Sequence, residues 1–452
     1  MARALTSTEL AHLRSERQRS RLYLAIHKPV AVYSCRVNQA AFTDPVVEVT
    51  YDSASGTLAE VLADMTVWVG TTAGARDVGI TRVRKAPTAS VLYVPPGEIA
   101  WEDDLYLTVV DEFRLWPRVP QAIYNDVLMD WDVVYSDQHE SCLPVPVLGP
   151  HAVAWLADGL VDVAFDASES WVPGSTISAY SWNAPGSDSI DDDTSATPLI
   201  TYITAGTYRV SCTVTAANGK TTTGYRRVFV FDAEHPPVSE FALRICRGDY
   251  DGGGWSASVE MYDQCAIDEL VEGALVVLFA QDWYGDNPIS IGPIPGRENV
   301  ITWGWIENEG LTIDSESGQA RFSAQGPAWW MQQCHTAALN LSKVDESPTR
   351  WTEIQDLVID HWVWHLITWR STVALLMDVL PSGDIRYSAG FEAESGSLWD
   401  KVREVCRNRM ATIVPACDRY GRLIVEIDPQ LLPVANRTAV PVVQALGDGD
   451  WR

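Results

Sequence analysis

Two histidines four residues apart carry the sharpest hint of chemistry in the chain. His361 and His365, in His361-Trp362-Val363-Trp364-His365, would share one face of a helix and could hold a metal between them. A zinc hydrolase of that pattern needs a glutamate beside the first histidine as general base, and Trp362 stands there instead. No later Glu or His falls at helical spacing to complete a ligand set, so both read as core or interface histidines. Asp191-Asp192-Asp193, with Asp188 close by, gathers carboxylates in one loop. The regular spacing and glycine of an EF-hand loop are missing, and the run reads as a solvated acidic tip rather than a calcium site. Glu102, Asp103 and Asp111-Glu112 offer paired carboxylates of the kind that cleave glycosidic bonds, but such pairs are commonplace among 60 acidic residues. Asp249-Tyr250-Asp251-Gly252-Gly253-Gly254 has the glycines of a phosphate loop without the following Lys-Ser/Thr or helix, and reads as a turn. No catalytic residue, metal ligand or cofactor site emerges, and the expectation is a protein that is not an enzyme.

Composition narrows the class further. The 452 residues imply three or four domains, and a chain that is 46% hydrophobic and 21% charged can bury ordinary cores. The net charge of −27, from 33 basic and 60 acidic residues, repels nucleic acid at long range. It would suit a wall past which DNA slides without specific binding. Nineteen tryptophans are enough to anchor several cores or subunit interfaces. The eight cysteines show no C-x-x-C spacing, which excludes zinc ribbons and fits buried thiols in a reducing compartment; Cys246 and Cys265 are the one pair worth checking for a bridge. The N-terminus lacks the apolar stretch of a signal peptide, and no run is long enough to span a membrane, so synthesis in the cytoplasm is expected.

The elements that must position these residues are mainly strands. Residues 1–22 read as an N-terminal helical arm, with Leu10 and Leu13 on one stripe of a 7–22 helix and Arg14, Arg17, Arg19 and Arg21 on the other. From 23 to 116, alternating runs at 31–37, 46–51, 66–70, 79–84, 90–94 and 105–110 imply a β-sandwich. Residues 117–150 are dotted with proline and read as an ordered linker, and 151–232 as a second sandwich. Within 238–330, five strand signals (255–261, 275–279, 300–306, 311–314 and 319–326) suggest a small antiparallel barrel or sandwich. The run Leu275-Val276-Val277-Leu278-Phe279 is apolar enough to be covered on both faces. Residues 331–452 read as an α+β unit: a helix over 351–380, a second helix N-capped by Ser397, and a hairpin turning at 418–421.

Two stretches resemble known families. Val161-Asp162-Val163-Ala164-Phe165-Asp166, Ile177-Ser178-Ala179-Tyr180-Ser181-Trp182 and Ala205-Gly206-Thr207-Tyr208-Arg209-Val210 resemble polycystic-kidney-disease (PKD) domains. The resemblance implies an immunoglobulin-like sandwich with Phe165, Tyr180, Trp182 and Tyr208 in its core. The loop after Trp182 departs from the family's Gly-Asp-Gly, reading Asn183-Ala184-Pro185-Gly186. Over about 240–452, Trp255-Ser256-Ala257-Ser258, Gly304-Trp305-Ile306, Gly326-Pro327-Ala328, Gly396-Ser397-Leu398-Trp399 and Asp418-Arg419-Tyr420-Gly421-Arg422-Leu423 resemble bacteriophage tail hub proteins. That likeness implies a structural subunit of a virion tail tip, closing a homotrimeric ring that continues the tail tube. Trp303, Trp305, Trp329, Trp330 and Trp399 would anchor cores or interfaces. Its partners would be copies of itself, other tail proteins and a host surface glycan or protein. The alternative is a secreted or surface adhesin or carbohydrate-binding array of β-sandwiches.

Overall fold

The computed structural model describes residues 18–111, 144–247 and 255–340 apart from short gaps, together with short stretches between 378 and 427. The alternating runs between Ala31 and Val110 pair into one antiparallel sheet of seven strands. Its spatial order is Gly79–Arg82, Thr66–Gly70, Tyr106–Val110, Ala31–Thr43, Val46–Gly56, Val91–Val94 and Lys85–Thr88. Alternation sends Cys35, Val37, Val49, Val67, Leu107 and Val109 to a common core. The central Ala31–Thr43 strand, 13 residues long, serves both halves of the sheet. Its register shifts between Arg36 and Gln39, and bulges of that kind turn a strand. A sandwich-like unit thus arises from one continuous sheet rather than from two.

The second unit packs a three-stranded sheet (Val161–Ala164, Leu199–Tyr202, Ser189–Ile190) on a four-stranded one. The latter runs Ile177–Asn183, Gly206–Ala216, Thr221–Phe231 and Ala152–Trp155, the last pair parallel. Phe165 and Trp182 meet in the core at 5.4 Å, and Trp182 Nε1–H donates to Ser195 O at 2.8 Å. Val210, Cys212 and Val214 are buried along one face, as their spacing implies. Tyr180 and Tyr208 differ from the expected core role: both lie half-buried at its rim. Tyr208 donates its hydroxyl to Thr204 O at 2.7 Å, the bond of a tyrosine corner, which requires the ring's tip to stay at the edge. The hairpin over 217–220 turns at Gly219 (φ +82°), with Asn218 Oδ1 accepting from Lys220 N–H. The expected linker also needs correction near its end. Residues 144–148 are buried, and Val145 bridges Trp171, so this stretch is a wall of the sandwich; 117–143 lie outside the described residues.

All five signals between 255 and 326 are strands of a third, eight-stranded sheet. Its order is Gln18–His27, Leu275–Tyr284, Val300–Ile306, Gln319–Gln325, Trp255–Met261 and Phe241–Arg247, with Asn287–Ile289 and Thr312–Asp314 appended. The first strand corrects the 7–22 helix: Gln18–His27 pairs along ten positions with Leu275–Tyr284. Period-two burial explains the outcome, because Leu24 faces one core while Tyr23 and Ala25 face another. Residues 1–17 lie outside the described residues. Leu24 also exchanges two backbone hydrogen bonds (2.9 and 3.1 Å) with Val238, just ahead of the strand at the opposite edge. The sheet therefore curls around its own core of Leu24, Val259, Met261, Val276, Leu278, Ile306 and Phe322. Leu275, Val277 and Phe279 point the other way into the core shared with the seven-stranded sheet, so the apolar run is covered on both faces.

Farther on, Ile413–Cys417 and Leu423–Ile427 form an antiparallel pair, joined in parallel by Val379–Leu380. Those last two residues of the expected 351–380 helix are strand, and 351–377 lie outside the described residues. Ser397 Oγ accepts the Asp400 N–H at 3.1 Å, the N-cap its sequence position implies.

Candidate functional site: a buried ionic junction

The strand Thr221–Phe231 positions the most unusual polar groups of the described residues. It contains Tyr225-Arg226-Arg227-Val228-Phe229-Val230-Phe231, whose two faces are both covered. Val228 and Val230 enter the sandwich core, while Phe229 and Phe231 face the core shared by the other two sheets. Phe231 stacks on Phe279 at 5.9 Å, Phe279 stacks on Tyr23 at 5.5 Å, and Tyr23 meets Trp155 edge-on at 6.0 Å. An aromatic chain thus runs from the sandwich to the eight-stranded sheet, each pair adding to simple area burial.

Arg227 sits on that outward face. Its Nη1–H donates to Asp111 Oδ2 at 2.8 Å, and its Nη2–H donates to the Asp111 carbonyl. Asp111 follows the Tyr106–Val110 strand of the seven-stranded sheet, and its Oδ1 accepts from Val30 N–H at 2.9 Å. The same oxygen lies 3.3 Å from His27 Nε2, at the end of the first strand of the eight-stranded sheet. Three sheets meet at this one carboxylate. Burial alone would raise the Asp111 pKa, but Arg227, His27 and the Val30 amide together hold it well below the ordinary carboxylate range. His27 moves down from its usual value because burial and the nearby Arg227 charge outweigh the pull of Asp111.

The inward neighbour, Arg226, forms a second buried pair. Its guanidinium donates to Gly149 O, to Tyr225 O at 2.7 Å, and to Asp378 Oδ1. Asp378 also accepts the Leu148 N–H at 2.7 Å, and the two side chains are 2% and 1% exposed. Room for this packing depends on Gly224, where a Cβ would stand 2.9 Å from Leu148 Cδ1. Behind the strand, His151 Nδ1 accepts the Arg227 N–H at 2.9 Å, which fixes that nitrogen as unprotonated. The His151 ring meets Trp303 edge-on at 4.5 Å, and Trp303 meets Trp305 at 5.0 Å.

Chemically, this arrangement holds elements together. Both oxygens of Asp111 accept donors from the fold, and the same is true of the bound oxygen of Asp378. Of the carboxylates weighed for glycoside cleavage, Asp111 is placed in this clamp, while Asp103 and Glu112 lie outside the described residues. In the acidic loop, Asp191 and Asp192 accept local donors. Asp191 Oδ1 accepts from Asp192 and Leu199 N–H at 2.7 Å each, and Asp192 Oδ1 accepts from Thr194 Oγ1–H and N–H. Those Thr194 bonds draw the Asp192 pKa down. Among the described residues no cluster of three or more metal-ligating side chains occurs. Trp303, Trp305 and Trp399 are buried in the shared core, whereas Trp329, Trp330, His361, His365, Gly252–Gly254 and Cys265 lie outside the described residues. Cys35 and Cys212 are buried free thiols. Sequence reasoning missed Arg226, Arg227, His27 and Asp378. The available signal was two adjacent arginines inside an apolar strand, where each must find a carboxylate or carbonyl.

No protein-family model matches the chain, and no curated protein matches it. Among solved structures, the chain is similar to the PKD domain of KIAA 1837 protein, with 22% identity over 20% of this chain and 90% of that one at a TM-score of 0.18. It is also similar to carbohydrate-binding modules from the β-sandwich superfamily (17% identity, 41% and 91% of the two chains, TM-score 0.17). Fibronectin(III)-like modules of Clostridium thermocellum CbhA align at 10% identity over 47% and 96%, with a TM-score of 0.15. These are likenesses of β-sandwich modules.

Proposed function

We propose that this chain works by binding and assembly rather than by catalysis, as a rigid multi-module β subunit. One observation carries the reading: the seven-stranded sheet, the sandwich and the eight-stranded sheet share a single apolar core and a buried ionic junction. Domains strung as independent binding units meet through small, polar interfaces. Here Phe229, Val277, Trp303 and Val109 belong to one cluster, as in a part that must transmit position through its whole body. In the concrete form of the proposal, the chain is a tail-tip subunit of a phage-like particle. Its curled sheet would close a homotrimeric ring with neighbouring copies, and its acidic surface would let DNA pass without adhesion.

A second reading, a surface adhesin or carbohydrate-binding protein, is favoured by a different observation. The outer side of the three-stranded sheet exposes Leu160, Leu199 and Ile203 around the polar Thr201–Asp162 pair, a mixed surface of the kind a glycan or host protein could contact. Light scattering with negative-stain imaging, paired with a glycan-array screen, separates the two. Open rings without glycan capture support the tail reading, and glycan capture by a monomer supports the adhesin. A monomer that binds nothing at any concentration refutes both.

A further inference from the structure

The contact among His27, Asp111 and Arg227 joins three sheets through few charges, and that balance changes with one proton. Arg209 lies directly opposite Arg227 in the antiparallel register, so two guanidinium groups occupy the same outward face of the sandwich. Arg209 is itself drawn down by burial and by Arg227, and is supported by Asp111, Tyr225 and Glu60. Glu60 sits on the exposed turn Leu58–Glu60, where solvent weakens its field. With His27 neutral, the seam holds two cations against the Asp111 carboxylate; with His27 protonated, it holds three. The added charge would arise at a side chain 9% exposed, with its nearest carboxylate already bound to Arg227 and Val30.

We propose that this junction is an acid-sensitive latch, in which uptake of one proton by His27 loosens the docking of the sandwich on the other two sheets. The sign follows from linkage. A histidine whose folded pKa lies below its ordinary 6.5 binds its proton more readily once the contact opens. The closed junction is therefore fully stable above pH 6.5 and weakens as pH falls from there through the folded value. The other titratable or charged groups around it are Lys28 beside it in the chain, Asp111 on the seven-stranded sheet, and Arg209, Tyr225 and Arg227 on the sandwich. His151, behind Arg227, and Glu60 complete the set.

The test uses hydrogen exchange of the full chain, read by mass spectrometry between pH 8 and 5 and corrected for intrinsic exchange. Peptides over 28–31 and 225–228 contain the Val30 and Arg227 amides, which are bonded to Asp111 and His151. One coupled proton raises the open fraction by at most about tenfold per pH unit. The wild type should approach that slope below pH 6.5, His27→Gln should be flat, and His151→Gln should retain the slope. Ring-carbon NMR of the wild type gives a second measurement independent of any variant. A slope that persists in His27→Gln, one lost only in His151→Gln, or a His27 that titrates at or above 6.5 overturns the proposal.

Discussion

Removing Asp378 tests whether the buried pair is structural in the way its geometry implies. Asp378→Ala takes away the counter-ion of Arg226, whose side chain is 2% exposed, and strips the acceptor from Leu148 N–H. A buried charge deprived of its partner costs about 3–5 kcal/mol, since desolvation is no longer offset. The exposed pair Arg36–Asp104, with side chains 40% and 73% exposed, sets the contrast: Asp104→Asn should cost less than about 1 kcal/mol. Urea unfolding followed by tryptophan fluorescence at pH 7.5 reads the difference. With a slope of about 1–3 kcal/mol per molar, Asp378→Ala should move its midpoint down by at least about 1 M. The double variant Arg226→Met/Asp378→Leu removes both charges and should return to within about 2 kcal/mol of wild type, because apolar side chains of similar volume need no partner and the remaining deficit is the lost acceptor of Leu148 N–H. If Asp378→Ala shifts the midpoint no more than Asp104→Asn, Arg226 has found water or another acceptor and the clamp reading fails.

Four further outcomes follow from the same geometry. Trp303→Ala, at the seam between His151 and Trp305, should cost about 3–5 kcal/mol in the same titration, a large loss because the surrounding rings cannot close the cavity. Gly219→Ala should cost only about 1–2 kcal/mol of backbone strain, since its φ is +82° and a Cβ there meets open space. Gly56→Ala should be worse in a thermal melt by roughly 1–3 kcal/mol, because its added Cβ would overlap Val32 O as well. Asp111, with a depressed folded pKa, contributes stability that is present above the ordinary carboxylate value of 3.8 and lost as pH falls through the folded value. Asp111→Asn should lower stability at pH 7 and flatten the acid limb below about pH 4, which melting curves across pH would reveal.

The strands were the most legible part of the chain, because a half-buried strand writes its burial into every second residue. The runs at 31–37, 66–70, 255–261 and 319–326 are strands for that local reason, and Asn218-Gly219 marked its hairpin because few residues tolerate a positive φ. The apolar run at Leu275–Phe279 announced two covered faces, though not what covered them. Residues 18–22 read as helix from charge and leucine spacing, and became strand because Leu275–Tyr284 offered them an edge 258 to 266 positions away. The sandwich read as a separate module, yet its Thr221–Phe231 strand also contributes to the core shared with the other two sheets. Which carboxylate neutralises Arg226 or Arg227 could not be inferred from spacing. Asp378 lies 152 positions from one and Asp111 lies 116 from the other. Local periodicity is written in consecutive residues and determines the elements. The pairing of buried charges depends on which sheet edges and faces come together, and only the tertiary structure decides that.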